Sequence, residues 1–81
     1  MLVEIPVETH AMRLLKLLYD ARMKLKPIYI PDVAYELGIG KKEACASWEY
    51  LRDQKLIKTY ALQYAATIND AGIEKVTGGG A

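Results

Sequence analysis

The side chains of this 81-residue chain that can do chemistry are few, and most of them gather in one stretch. Lys41, Lys42, Lys55 and Lys58 bring ammonium groups and Ser47 and Tyr50 bring hydroxyls, all within residues 41–58. Cations and hydroxyl donors of this kind suit contacts to phosphates and base edges. Bond-making chemistry has far less to work with. His10 is the single histidine and Cys45 the single cysteine, and no Ser-His-acid or Cys-His arrangement, paired carboxylates or phosphate-cradling glycine loop accompanies them. Gly78, Gly79 and Gly80 are followed by Ala81 only and make no P-loop. The chain therefore reads as a non-enzyme with no cofactor. One His and one Cys predict no metal site, and a lone cysteine cannot form an internal disulfide. A reducing, cytoplasmic setting is the expectation. Cys45 itself reads as a small packing residue rather than a redox sensor, and His10 as a surface or capping residue.

The elements that must position these groups follow from composition and periodicity. With 52% hydrophobic and 26% charged residues the sequence predicts one folded domain, and a net charge of +1 gives no strong field of either sign. Apolar runs are only a few residues long, so no membrane span is expected, and the start lacks the basic character of a signal peptide. A helix is predicted within residues 6–24, with Val7, Ala11, Leu14, Leu15, Leu18 and Ala21 inward and Arg13, Lys16, Asp20 and Lys24 mainly outward. Pro6 suits a first helical position and Thr9 an N-cap. The lead, 1–5, reads as an extended arm, a short strand or a disordered start. Ile28, Tyr29 and Ile30, between Pro27 and Pro31, supply only a very short strand. Pro31 opens a second helix with Asp32 near its positive end and Val33, Ala34 and Leu37 inward; Gly38 ends it. Ile39 fills the gap, and Gly40 caps a third helix over 41–54. Ala44, Trp48 and Leu51 mark its buried edge, and Lys42, Ala46, Glu49, Tyr50 and Asp53 its opposite edge. Strands at 57–60 and 65–68 flank a turn at 61–64 and form a hairpin. Asn69 caps a last helix from 70 to about 76, and 77–81 reads as a flexible Gly-rich tail.

This order of helix, short strand, helix, helix, strand, strand, helix resembles the winged helix-turn-helix domain of MarR, PadR and ArsR-like regulators. The residues that carry the resemblance are 33–39 (VAYELGI), Trp48 and Leu51, 55–57 (KLI) and 67–73 (TINDAGI). It implies a mainly α fold with a small β-hairpin (α+β): a three-helix core, a wing and a C-terminal helix, in one domain over 1–76. It also implies a DNA-binding transcriptional regulator that takes double-stranded DNA, with residues 41–54 in the major groove. Lys41 and Lys42 would then meet phosphates near the start of that helix, Ser47 and Tyr50 would face bases, and Lys55 and Lys58 would support the wing. A homodimer would double this footprint.

Three departures from the family pattern stand out. Lys55 occupies the usual glycine position after the third helix. Glu43, Glu49 and Asp53 set three carboxylates against the five cations Lys41, Lys42, Arg52, Lys55 and Lys58 over residues 41–58. The wing tip carries Leu62 and Tyr64 where Arg or Lys is usual. These two side chains either contact a protein partner or fold back over the core. Met12, Tyr19 and Met23 form an apolar shoulder on the first helix, suited to a dimer interface unless the arm and last helix cover it. The alternative reading is accordingly a protein–protein interaction module that uses Leu62, Tyr64 and this shoulder and does not bind DNA. The six tyrosines are scattered along the chain and read as core-edge packing.

Overall fold

A computed structural model of the chain describes residues 6–24 and 26–78. Among these residues it shows a mixed α/β fold of four α-helices and one three-stranded antiparallel sheet. The arm at 1–5 and the last tail residues, 79–81, lie outside the described residues.

Helix α1 runs Val7–Asp20 and buries Ala11, Leu14, Leu15 and Leu18, an i, i+3, i+4, i+7 stripe. Its N-cap is Pro6, whose carbonyl accepts from Thr9 N–H at 3.0 Å, so Thr9 lies inside the first turn and does not cap. Val7, at 38% exposure, lies off the core, because the first turn overhangs it. A short 3-10 turn, Arg22–Lys24, ends the segment; Arg22 donates to Tyr19 O at 2.7 Å, satisfying a carbonyl of the helix end.

Strand β1 (Ile28–Tyr29) leads directly into helix α2 (Ile30–Glu36), which starts one residue before Pro31. At the end of α2, Ile39 N–H donates to Ala34 O at 2.8 Å and Gly38 N–H to Tyr35 O at 3.1 Å. This Schellman pattern needs a left-handed residue, and Gly38 supplies it at φ +74°. Arg13 of α1 donates to Leu37 O at 3.1 Å and covers the next carbonyl.

Helix α3 (Lys41–Asp53) starts at its N-cap Gly40 and buries Ala44, Ser47, Trp48 and Leu51. It ends in the same way as α2: Leu56 N–H donates to Leu51 O and Lys55 N–H to Arg52 O, both at 3.0 Å. Here Lys55 takes the left-handed position, at φ +60°. The chain accepts the strain instead of leaving the helix differently.

Strands β2 (Ile57–Thr59) and β3 (Ala65–Ile68) form the expected hairpin, with Ile57 opposite Ile68 and Thr59 opposite Ala66. Strand β3 is central, because β1 pairs with its other edge through Ile28–Ala66 and Tyr29–Ala65. Helix α4 (Asp70–Thr77) is capped by Asn69, whose side chain accepts from Gly72 N–H at 2.8 Å and donates to Lys55 O at 2.9 Å. One side chain thus ties the end of α3 to the start of α4. Gly72 faces inward without a side chain because none fits: a Cβ there would strike Leu56 O and lie 2.6 Å from Ile68 Cγ1. The core is one cluster in which α1 packs on α3 and Ile30, Ile39, Ile57 and Ala66 close the sides.

Candidate nucleic-acid interface

Helix α3 and the β2–β3 hairpin position the residues singled out in the sequence, and the helix presents two chemically different faces. Its inner face docks on the sheet through Trp48. The indole Nε1 donates to Ala65 O at 3.4 Å, and the ring meets Tyr64 edge-on with centroids 5.1 Å apart. Ser47 belongs to this inner face: it is fully buried, and its hydroxyl donates to Glu43 O at 2.8 Å. The expectation that Ser47 faces a base is corrected on both counts. It stands three residues after Ala44 and four before Leu51, and its hydroxyl is satisfied one turn back within its own helix.

The outward face carries Lys41, Lys42, Ala46, Glu49 and Asp53, all exposed, while Tyr50 is half-buried against the core cluster. Arg52 is spoken for within the chain. Its guanidinium lies 4.9 Å from the Trp48 ring centroid and 3.4 Å from the Asp53 carboxylate, the only ion pair among the described residues. Lys58 sits on β2 with its ammonium 5.6 Å from the Tyr60 ring, and Lys55 is exposed at the end of α3. Lys41 and Lys42 are thus the exposed cations of the first turn of α3, and Lys55 and Lys58 flank the other end.

The hairpin tip divides the two residues expected to act together there. Leu62 is 63% exposed, whereas Tyr64 turns back over the core. Tyr64 holds a left-handed backbone, φ +68°, and its carbonyl accepts from Ile30 N–H at 2.9 Å. The Cys45 thiol beside its hydroxyl raises the Tyr64 pKa above the usual 10.0; burial, then Glu49 and Tyr29, add to the shift. Tyr64 is therefore a joint between α2, α3 and the hairpin, not a free contact residue. Nothing local in the sequence marks it, since its partners stand about 16 to 35 residues away along the chain.

The α1 shoulder is similarly divided. Met12 packs against the core, Tyr19 lies half-buried with the Arg22 guanidinium 3.9 Å from its ring centroid, and Met23 is 79% exposed. An exposed tyrosine that sequence reasoning passed over is Tyr35, at 84%. It lines a shallow groove with Tyr29, Pro31, Ile39 and Lys41 between α2 and the start of α3.

Among the described residues no cluster of three His, Cys, Asp or Glu side chains is placed to hold a metal ion, and no helix is long and apolar enough to cross a membrane. The described residues form a small α+β domain in which the outer face of α3 is exposed. No family model, curated protein or solved structure matches the chain.

Proposed function

We propose that this chain is a DNA-binding module of the winged helix-turn-helix type, acting in transcriptional regulation, with α3 in the major groove of double-stranded DNA. The observation that carries the reading is the open outer face of α3, with Lys41 and Lys42 exposed in its first turn and Lys58 on the adjoining hairpin. Lys41, Lys42, Lys55 and Lys58 would meet phosphates, and the Tyr50 hydroxyl is the donor left on this helix for a base edge. The local charge is small, so one copy makes few phosphate contacts, and a homodimer is the form that brings useful affinity.

An electrophoretic shift with random duplex at low and moderate salt tests the reading. A shift at micromolar protein and about 50 mM salt is expected, weakening steeply as salt rises. Lys42→Ala should weaken binding to all sequences alike and flatten the salt dependence by about one charge per bound subunit. No shift under the low-salt condition contradicts the proposal.

A second reading rests on a different observation. Tyr35, Met23 and Leu62 are the most exposed large apolar side chains among the described residues, at 84%, 79% and 63%. They favour a protein–protein interaction module that leaves DNA alone, and with it binding that ignores salt and is lost in Leu62→Ser.

A further inference from the structure

The outward stripe of α3 is Lys42, Ala46, Glu49 and Asp53, at successive spacings of four, three and four, opposite the buried Ala44, Ser47, Trp48 and Leu51. Glu49 stands in the middle of it. The two carboxylates of the stripe differ: Asp53 is held by the Arg52 guanidinium at 3.4 Å, whereas Glu49 makes no side-chain hydrogen bond or ion pair among the described residues. Of the residues three and four positions from Glu49 along the helix, Cys45, Ala46, Arg52 and Asp53, only Arg52 is a cation, and it is engaged with Asp53 and the Trp48 ring. Ala46 is exposed and ends in a methyl, so on that side no bulk holds the Glu49 carboxylate away from a groove floor.

We infer that Glu49 is a specificity-determining residue whose carboxylate accepts from the N4 amino group of a cytosine, so that the duplex preferred by α3 carries a G·C pair opposite Glu49. The inference rests on the DNA-binding reading proposed above and names a base that this reading leaves open. An unpaired carboxylate entering the major groove is repelled by the phosphates of every sequence, and that uniform cost selects nothing by itself. Selection comes from what the bases return, because only some pairs set a donor under the carboxylate. In the major groove those donors are the cytosine N4 and adenine N6 amino groups. The adenine amino group lies between two acceptors, its own N7 and the thymine O4, whereas the cytosine amino group has an acceptor, guanine O6, on one side only. An anion is therefore matched better by cytosine. The phosphate contacts proposed for Lys41, Lys42, Lys55 and Lys58 supply affinity without regard to sequence, and Glu49 adds a preference among bases.

The test is selection of bound duplexes from a randomised library, at about 50 mM salt, by the wild-type chain, Glu49→Gln and Glu74→Gln, followed by anisotropy titrations on the enriched duplex. Glu74 is exposed on α4 and provides the same change of net charge away from α3. Wild type and Glu74→Gln are expected to enrich one G·C pair that Glu49→Gln loses or replaces by A·T, because a glutamine amide matches adenine N6 and N7. N4-methylcytosine at that pair keeps the base pairing and blocks the major-groove N–H. It should weaken wild-type binding about fivefold to tenfold and leave Glu49→Gln within about twofold. If wild type binds the library but enriches no such pair, if Glu49→Gln keeps it, or if N4-methylation leaves wild-type binding unchanged, Glu49 does not read cytosine and DNA binding stands. If the wild-type chain binds no duplex at all, the inference falls together with the reading beneath it.

Discussion

The two faces of α3 differ in almost every physical respect. On the inner face Ala44, Ser47, Trp48 and Leu51 are buried, and Trp48 alone is held by a hydrogen bond, an aromatic edge and a guanidinium. On the outer face Lys41, Lys42, Ala46, Glu49 and Asp53 are exposed, and of these Asp53 alone takes part in a side-chain hydrogen bond among the described residues, accepting from Arg52. The inner face is constrained by volume and by the need to satisfy buried polar groups. The outer face is free of both constraints, and it mixes two lysines with the carboxylates of Glu49 and Asp53. On the proposed reading, fold and partner are encoded on opposite sides of one helix, by different residues.

Substitutions that respect this division should separate cleanly. The largest effect belongs to Leu51→Ala, which empties a fully buried site and should cost about 2–5 kcal/mol in denaturant unfolding. Glu49→Gln, two residues earlier on the exposed side, should stay within about 0.5 kcal/mol. A comparable loss from both would mean that the outer face also supports the fold. Next come the joints that bracket α3, where one hydrogen-bond pattern is built on two residue types. Gly38→Ala should lower stability by about 1 kcal/mol, and Lys55→Gly should raise it by about 0.5–1 kcal/mol, because each moves a left-handed position away from or toward the residue that tolerates it. Thermal melts read both signs, and a destabilised Lys55→Gly would show that the Lys55 side chain contributes more than its backbone strain removes.

The smallest effect concerns Tyr64. Its pKa is raised in the folded protein, so the folded state holds this proton after an unfolded chain has released it. The associated stability is fully present below pH 10 and is lost as pH rises through the raised value. Tyr64→Phe should therefore lose less stability than wild type between neutral pH and pH above about 10. An identical slope in the two proteins would remove the Cys45–Tyr64 contact as the cause.

Much of this arrangement is legible in the sequence because it is local. The four-and-three spacing of Ala44, Trp48 and Leu51 places a helix face within eight residues, Gly38 announces a left-handed stop, and Asn69 is a cap by its own chemistry. Ser47 misleads because a hydroxyl suggests solvent, although its position between Ala44 and Leu51 already points inward. The pairing of β1 with β3, the fit of Gly72 under Leu56 O and the turn-back of Tyr64 all depend on contacts between distant segments, which no local pattern carries. Of the candidate binding residues, Lys41, Lys42, Lys55 and Lys58 sit on the surface as their charge demands. Which of the exposed side chains meet a partner is decided by a surface outside this chain, and that is the part periodicity does not encode.

On the proposed reading, the outer face of α3 is a surface for duplex DNA. Amide chemical-shift perturbation on adding a random duplex tests it most directly, because it reports each face of the helix separately. Shifts are expected at Lys41, Lys42, Ala46, Glu49 and Lys58, with Ala44 and Leu51 little changed. Saturating duplex that leaves those outer residues unmoved, or moves only the surface around Tyr35 and Leu62, would contradict it.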